Sequence, residues 1–314
     1  FPSITKVGAF APEKLLSTKV HFVLATDSCL EPILEIVAHE IIVVEITSAQ
    51  NSLVKLARSL DKKKARQETM LFRAEGARHV LEGIECGAKL YGLLFSKNVA
   101  SRPHVRELIE HAKKHNARIG QVSDSVLESV THRDNAQNVV GIFHQNFGKL
   151  DDFNDLDLLV ALERPKDPGN LGTIIRTLDS VGGQGIILLE ESCDPFSTEC
   201  IRAGMGSSFS VKIVKSKIDD FINWQNKNGF YLVGTSLKGS DLHTKTDMGK
   251  KTILLMGNEQ SGIDDDLAGK CDALIKLPMK GRADSLNLAI ATGVCLYEIW
   301  RQRDFNGRRI EGGQ

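Results

Sequence analysis

The second half of the chain alternates apolar segments with helical ones, and this alternation constrains the fold more than any other feature of the sequence. The strand-like segments are LDLLVAL (156–162), GIILLE (185–190), SVKIV (210–214), FYLVGT (230–235), TILLMG (252–257) and ALIKLPM (273–279). The helical patterns lie at 170–181, 197–205, 217–227, 263–270 and 285–303. Strands that are apolar on both faces and are separated by helices pack into a parallel sheet covered on both sides. An open α/β sheet is therefore predicted here.

The first half carries a shorter α/β pattern, which predicts a second, smaller unit. Helical patterns at 51–66, 77–86 and 105–117 alternate with strand-like segments at 69–74, 90–95 and 118–122. The acidic segment DDFNDLD (151–157) separates the halves and is typical of a linker. At 314 residues the chain is also long for a single core, so two domains are expected.

The composition is that of an ordinary globular protein, with 41% hydrophobic and 25% charged residues. The most apolar stretch, residues 21–46, is interrupted by Asp27, Glu31 and Pro32, so it is too polar to cross a bilayer and no membrane partner is expected. The six cysteines include no CxxC pair, which favours a reducing, cytoplasmic location. Because the chain begins at Phe1 rather than Met, an organellar location after removal of a targeting segment stays open.

Net charge is zero, but one segment of the first half is basic. Residues 51–78 contain three acidic residues and eight basic ones, which are Lys55, Arg58, Lys62, Lys63, Lys64, Arg66, Arg73 and Arg78. We call this segment the basic arm. One interpretation is a solvated helix face, and the other is a surface that contacts the phosphates of a nucleic acid.

Three loops of the second half follow strands and combine glycine with polar residues: GTSLKG (234–239), GNEQSG (257–262) and PMKGRADSLN (278–287). Open parallel sheets bind ligands beyond the carboxyl ends of their strands. These loops therefore predict a pocket. It is not an ordinary nucleotide site, since the chain has no GxxxxGK[ST], no GxGxxG after a first strand and no GxSxG. His111 and His115 have a metal-ligand spacing but no third ligand nearby, so no metal is predicted.

A fourth segment, LERPKDPGNLGTIIRTLDSVG (162–182), runs from a strand through prolines and glycines into an apolar helix that carries Arg176. The pattern fits a phosphate-binding loop. It fits equally an ordinary strand-to-helix turn in which Asn170 is the N-cap.

Three motifs of the second half resemble those of the SpoU/TrmH family. They are DPGNLGTIIRT (167–177), LLMGNEQSGI (254–263) and IKLPMKGRADSLNLAIATGVCLYEI (275–299). This family consists of S-adenosyl-L-methionine-dependent RNA 2′-O-ribose methyltransferases within the SPOUT superfamily. The first half is similar to the family's L30e-like substrate-binding module, through ITSAQNSLVKLARSL and LFRAEGARHVLEGI.

The resemblance implies a domain plan that the strand pattern alone would not give. It places an L30e-like RNA-binding domain at 46–150, a linker at 151–158, and a methyltransferase domain with a deep trefoil knot at 159–306. An N-terminal extension of unassigned role at 1–45 and a tail at 307–314 lie outside these domains. The resemblance also implies a homodimer with S-adenosyl-L-methionine bound in the loops of the knot.

The resemblance also assigns roles to individual residues. The residues that act on the substrate are Arg176, Asn170, Glu259, Ser285 and Asn287. The cofactor contacts, mostly through the main chain, are Thr235, Gly257, Leu277 and Leu286. Ordinary structural roles are the alternatives: helix capping for Asn170 and Ser285, and a salt bridge for Glu259.

The implied substrate is a structured RNA, with 23S-type ribosomal RNA as the main prediction and transfer RNA as the alternative. Two further alternatives are a non-catalytic RNA-binding protein of the same fold and a small-molecule-binding regulator. The first would be expected to lack Arg176 or its neighbours, which are present, and the second would not explain the basic arm.

Overall fold

The computed structural model describes residues 43–131, 138–237 and 241–306, which belong to one compact unit, Glu40–Gln314. Nearly all of the predicted extension at 1–45 and the whole tail at 307–314 lie outside the described residues. Within the described ranges, no helix is long and apolar enough to cross a membrane.

The first half forms a mixed five-stranded sheet. Its strands are β1 (Val44–Ile46), β2 (Leu71–Glu75), β3 (Leu90–Ser96), β4 (Arg118–Val122) and β5 (Val139–His144), in the order β1-β4-β3-β5-β2. Strands β1, β4 and β3 are parallel, whereas β5 is antiparallel to β3 and β2. The helices are α1 (Ser52–Ser59), α2 (Lys63–Thr69), α3 (Ala77–Glu85), α4 (Pro103–Lys114) and α5 (Asp124–Thr131). One apolar cluster lies under α3 and α4, and another under α1 and α5.

The prediction of one helix over 51–66 is wrong, because the chain leaves the helix after Ser59 and begins another at Lys63. The break is stabilised by Arg66, whose Nη1 donates to the main-chain oxygens of Leu60 (2.7 Å) and Asp61 (2.8 Å). A buried guanidinium thus satisfies carbonyls that the end of α1 leaves without a helical partner. Strands β1 and β5 and helix α5 were not predicted.

The second half forms the predicted parallel sheet, with all seven strands in one direction. The strands are β6 (Leu158–Glu163), β7 (Gly185–Leu189), β8 (Lys212–Ser216), β9 (Tyr231–Thr235), β10 (Asp241–Leu242), β11 (Thr252–Met256) and β12 (Ala273–Lys276). Their order is β10-β12-β9-β11-β6-β7-β8. The α/β prediction is confirmed, and the short edge strand β10 is an addition to it.

Helices cover both faces of this sheet. They are α6 (Pro168–Ser180), α7 (Thr198–Gly204), α8 (Ser207–Ser210), α9 (Ile218–Asn228), α10 (Asp265–Ala268) and α11 (Leu288–Gln302). One apolar cluster packs the sheet against α6 and α11, and the opposite cluster packs it against α9 and α10. The predicted linker is not an open spacer, since Phe153 within it is fully buried in the second of these clusters.

The face of α11 that points inward differs from the prediction. For the helical pattern at 285–303, the apolar periodicity of the sequence predicts a core face made of Leu286, Ala289, Ile290, Val294, Leu296, Tyr297 and Trp300. In the structure Ile290, Val294 and Tyr297 are 57%, 40% and 48% exposed, and Leu286 is 38% exposed. The buried side instead carries Leu288, Ala289, Thr292, Cys295, Leu296, Glu298 and Ile299. The helix is apolar on nearly every side, so the pattern alone could not orient it.

Candidate active site

The predicted site residues lie at the carboxyl ends of four adjacent strands. Strands β12, β9, β11 and β6 are neighbours in that order, and the polar loops leave each of them at the same edge. Main-chain bonds hold the edge together, as Ser236 N–H donates to Ile275 O at 2.9 Å. The predicted location of the pocket is therefore supported by the strand order.

Helix α6 begins with an N-cap that was not predicted. The side chain of Asp167 accepts from Asn170 N–H at 2.6 Å, and Pro168 occupies the first helical position. The alternative that Asn170 caps the helix is therefore wrong. An aspartate followed by proline at a helix start is a recognisable signal, because proline needs no hydrogen-bond partner at that position. The Asn170 side chain is thus free for another role.

Glu259 holds the loop that leads into α6. Its carboxylate accepts from the main-chain N–H of Lys166 at 3.1 Å and of Asp167 at 3.2 Å. The Asn170 amide also donates to it, at 3.5 Å. A carboxylate at the start of a helix is favoured by the unpaired N–H groups and the helix dipole. Glu259 therefore positions this loop and Asn170, and the salt-bridge alternative is not what the structure shows.

Asn287 completes a chain of side chains across three loops. Its amide donates to Asn170 Oδ1 at 2.9 Å, while its own Oδ1 accepts from the N–H groups of Ala289 and Ile290. Asn287 is thus the N-cap of α11 and a partner of Asn170. The prediction that Ser285 begins this helix is wrong, because the helix starts at Leu288. Ser285 is exposed, and its side chain makes no hydrogen bond to the other predicted site residues among those described.

Asn258 is a positioning residue that the predicted set omitted. Its amide donates to Arg164 O at 2.7 Å, and its Oδ1 accepts from Gln260 N–H and Ser261 N–H. The Asn258 side chain thereby stabilises the turn 258–261 and connects it to Arg164, which follows β6. Its place next to Glu259, just after a strand, was a signal that could have identified it.

Arg176 projects from the third turn of α6 and is exposed. Its guanidinium makes no hydrogen bond or ion pair to any residue in the described part of the chain. The helix beneath it is anchored by buried Leu171, Ile174 and Ile175. A fixed helix therefore presents a cation that is available to an external anionic group.

The predicted cofactor residues occupy the same edge. Thr235 ends β9, Gly257 follows β11, and Leu277 follows β12, whereas Leu286 lies in the exposed segment before α11. A Cβ on Gly257 would lie 2.1 Å from Gly262 C, so only glycine fits this turn.

The segment between β12 and α11 is open in this structure. A side chain at Gly281 would meet no other atom of the protein within 4 Å. Residues 279–286 are exposed, and their main-chain N–H groups have no partner among the described residues. Free main-chain N–H groups can donate to an adenine edge or to an amino-acid carboxylate. The half-buried apolar side chains next to them can pack against the adenosine. The residues present therefore fit S-adenosyl-L-methionine.

Nucleophilic cysteine chemistry and a metal centre have no support in this region. Burial, with help from the carboxylates of Glu259 and Asp167, raises the pKa of the Cys193 thiol to about 12, so the thiol stays protonated. Within the described ranges, no group of three potential ligands is placed to hold a metal ion.

The basic arm is divided between buried and exposed residues. Arg66 and Arg73 are 4% and 2% exposed and pair with carboxylates, so they cannot contact a nucleic acid. Arg58 donates to Ser129. The exposed residues are Lys55, Lys62, Lys63, Lys64 and Arg78. The prediction is thus wrong for the two buried arginines and stays open for the lysine run.

Comparison with known proteins agrees with this geometry. Residues 157–297 match the SpoU rRNA Methylase family, and residues 51–141 match the MRM3-like substrate binding domain. The chain is similar to a crystal structure of an AdoMet-bound rRNA methyltransferase from Sinorhizobium meliloti, with 44% identity and a TM-score of 0.78, over 82% of this chain and 98% of that one.

Two curated relatives extend the comparison. A 23S rRNA uridine 2′-O-methyltransferase of Streptomyces viridochromogenes is 30% identical, over 74% of this chain and 83% of its own length. The 23S rRNA guanosine 2′-O-methyltransferase RlmP of Bacillus subtilis is 28% identical, over 81% of this chain and 98% of its own. The chain belongs to the SpoU rRNA methylase family. It is an RNA methyltransferase with S-adenosyl-L-methionine as methyl donor.

Proposed function

We propose that the chain transfers a methyl group to a ribose 2′-hydroxyl of a large-subunit ribosomal RNA. The observation that carries this proposal is the hydrogen-bonded chain Glu259–Asn170–Asn287, whose central residue lies on the same helix, α6, as the exposed Arg176. The curated relatives named above act on 23S ribosomal RNA at the 2′-hydroxyl, and this supports the same substrate here. Transfer RNA remains the second candidate, because relatives of this chain include proteins named as TrmH-family tRNA/rRNA methyltransferases.

The role proposed for Arg176 is electrostatic. A ribose hydroxyl is a weak acid, so negative charge develops on its oxygen as the new bond forms. A guanidinium remains protonated at neutral pH, and it can stabilise this charge or bind the neighbouring phosphate. Literal removal of the proton by Arg176 would require a neutral guanidine, which is physically much harder to form. Charge stabilisation is therefore the role we assign.

The other site residues set the geometry. Glu259 fixes the loop before α6 through two main-chain N–H groups, and Asn287 fixes Asn170 from the start of α11. Asn170 thus lies between a carboxylate on one side and an amide donor on the other, which defines the direction of its own amide. Ser285 lies next to Leu286 in the exposed segment before α11, and its proposed role is to contact the RNA. Thr235, Gly257, Leu277 and Leu286 would hold S-adenosyl-L-methionine, which supplies an electrophilic methyl group on a sulfonium.

Methyl transfer with labelled cofactor tests the substrate. The full chain would be incubated with transcribed large-subunit ribosomal RNA, with small-subunit ribosomal RNA and with total transfer RNA. Incorporation into large-subunit RNA is expected, and mapping of ribose methylation in cells with and without the gene would identify the nucleotide. Incorporation into transfer RNA alone would replace ribosomal RNA with the alternative, and binding of RNA without any transfer would indicate a non-catalytic protein.

The exposed lysine run of the basic arm is proposed to contact RNA phosphates. Replacing Lys62, Lys63 and Lys64 together with Ala should weaken RNA binding and reduce its salt dependence, because fewer counterions are released. Filter binding across a salt series measures both quantities. Replacement of Lys113 and Lys114 at the end of α4 is the matched control. Equal affinity and slope in both variants would leave the run as a solvated face.

We further propose that the chain is a homodimer through the exposed apolar face of α11. Ile290, Val294 and Tyr297 lie on this face, and large exposed apolar patches are typical of interfaces. Changing Val294 to Asp should shift the protein from dimer to monomer in light scattering without unfolding it, since the side chain is 40% exposed. A wild-type monomer at micromolar concentration would contradict the proposal.

We also propose that the second half forms a deep trefoil knot and that the protein is cytoplasmic. The strand order supports the knot, because β11 inserts between β9 and β6 before the chain crosses to β12 and returns to pack α11 against α6.

A further inference from the structure

The two sheets share a hydrophobic core through α7 and α8. Phe196 and Ile201, from the start and middle of this region, are buried within the apolar cluster under α3 and α4 of the first sheet. Phe209 of α8 packs against the same cluster and has its ring 5.0 Å from that of Phe143 in β5. The Phe196 ring lies 4.9 Å from that of Phe72 in β2. Elements of the methyltransferase half thus complete the core of the substrate-binding half.

Two ion pairs flank this shared core. Arg66 Nε lies 2.8 Å from Asp194 Oδ2, with both side chains nearly buried. Arg202 Nη2 lies 2.8 Å from Glu75 Oε2 and 3.0 Å from Oε1. Glu75 in turn pairs with Arg73 at 3.2 Å. The Arg66–Asp194 and Arg202–Glu75 pairs each join a residue of the first half to a residue of the second. Two domains connected only by a flexible linker would not form such pairs.

The same region is packed tightly on the catalytic helix. Gly172 of α6 faces α7 so closely that a Cβ there would lie 2.3 Å from Cys200 O and 2.7 Å from Ala203 Cβ. Cys200 of α7 is buried in the cluster that contains the core side of α6, whereas its neighbour Ile201 is buried in the cluster of the first sheet. Helix α7 therefore contacts the substrate-binding half on one side and α6 on the other. We call α6 the catalytic helix because it carries Asn170 and Arg176.

We propose that α7 and the segment just before it are the positioning element that fixes the substrate-binding half relative to α6, with Arg202 of α7 and Asp194 of the preceding segment as the positioning residues. This inference rests on the proposed function, since it concerns delivery of RNA to Arg176. In the described part of the chain, neither residue has a hydrogen bond to any of the proposed site residues. Their effect is on distance, because a displacement of about 1 Å at a reacting group can slow a reaction about 10²-fold.

Three variants test the proposal with the full chain. Arg202→Met removes the charge from a side chain that is 35% exposed, so the protein should fold. Arg202→Lys should restore function, since a single nitrogen of Arg202 makes both contacts to Glu75. Asp194→Asn keeps the oxygen that accepts from Phe196 N–H but loses the charge facing Arg66. Lys113→Met, which breaks an exposed pair with Glu110, is the control.

Two measurements separate positioning from simple stability. The first is the single-turnover rate of methyl transfer at saturating RNA and cofactor. The second is the distribution of distances between spin labels at exposed Glu107 of α4 and Lys227 of α9, attached through a non-natural ketone residue so that native cysteines stay unmodified. The distance measurement needs no activity, so it remains informative if the RNA substrate has been misassigned.

In Arg202→Met and Asp194→Asn we expect a broadened distance distribution and a transfer rate lowered by about 10- to 10²-fold, with unchanged calorimetric affinity for S-adenosyl-L-methionine. Arg202→Lys and Lys113→Met should behave as the parent chain. An unchanged distribution in both charge-removal variants would overturn the proposal, and so would a broadened distribution with an unchanged rate. Loss of cofactor affinity in parallel with the rate would show that these residues only stabilise the fold.

Discussion

Replacing Arg176 with Ala is expected to slow methyl transfer by about 10²- to 10⁴-fold, the range for removal of a positioned electrostatic or acid–base group. The fold should be unaffected, because the side chain is exposed and makes no hydrogen bond or ion pair with any described residue. Cofactor affinity should also be unchanged, because the residues proposed to bind S-adenosyl-L-methionine lie at other strand ends. Single-turnover assays and calorimetric titration with cofactor measure the two quantities.

Two further variants sharpen the interpretation of Arg176. Arg176→Lys retains a positive charge without the planar fork, so partial activity would support charge stabilisation over a role for the fork geometry. Ser180→Ala, on the last turn of the same helix, is the control for helix perturbation. A rate for Arg176→Ala within a few-fold of the parent chain would remove Arg176 from the mechanism.

The sequence predicted the second sheet well because its strands are buried on both faces. A segment such as TILLM, which is fully buried in β11, is typical of a central strand in a parallel sheet covered on both faces. The site at the carboxyl ends of the strands followed from the same topology. Glycine at 257 was also readable, and the structure gives its reason, since any Cβ would collide with Gly262.

Features that depend on contacts between residues far apart in the sequence could not be predicted from it. Arg66 and Arg73 belong to a basic run in the sequence, yet both are buried and paired with carboxylates. The partner of Arg66, Asp194, is 128 residues away in the sequence. The charge pattern therefore overestimated the surface available for RNA. The prediction of the inward side of α11 was wrong for a related reason. Apolar residues surround this helix, and only its packing against α6 determines which face is buried.

The helix starts show where local signals compete. Asn170 and Ser285 are both good N-cap types, but the caps are Asp167 and Asn287. In the first case proline at position 168 favours the residue before it. In the second, Asn287 combines two roles, because its oxygen caps α11 while its amide reaches Asn170. A residue that serves fold and site together is difficult to assign from a sequence, and its two roles require separate variants.

Asn287→Asp is expected to separate these roles. Asp is as good an N-cap as Asn, so the thermal stability should be retained, whereas the donor to Asn170 Oδ1 is lost. Methyl transfer should fall by about 10²-fold, as expected when a group that positions the site is released. Asn287→Ala should show the same loss of rate and, in addition, a stability loss of about 1 kcal/mol from the missing cap.

Thermal unfolding and single-turnover assays on the two Asn287 variants distinguish the possible outcomes. If Asn287→Asp transfers methyl groups as fast as the parent chain, the hydrogen bond to Asn170 is dispensable and Asn287 is only a cap. If both variants lose stability equally, the carboxylate has failed to cap, and repulsion from Glu259, which also faces Asn170, is the physical reason to examine. A stable Asn287→Asp protein that binds cofactor but transfers slowly would show that the Asn287 amide, in addition to the packing of α11 on α6, is needed to position Asn170.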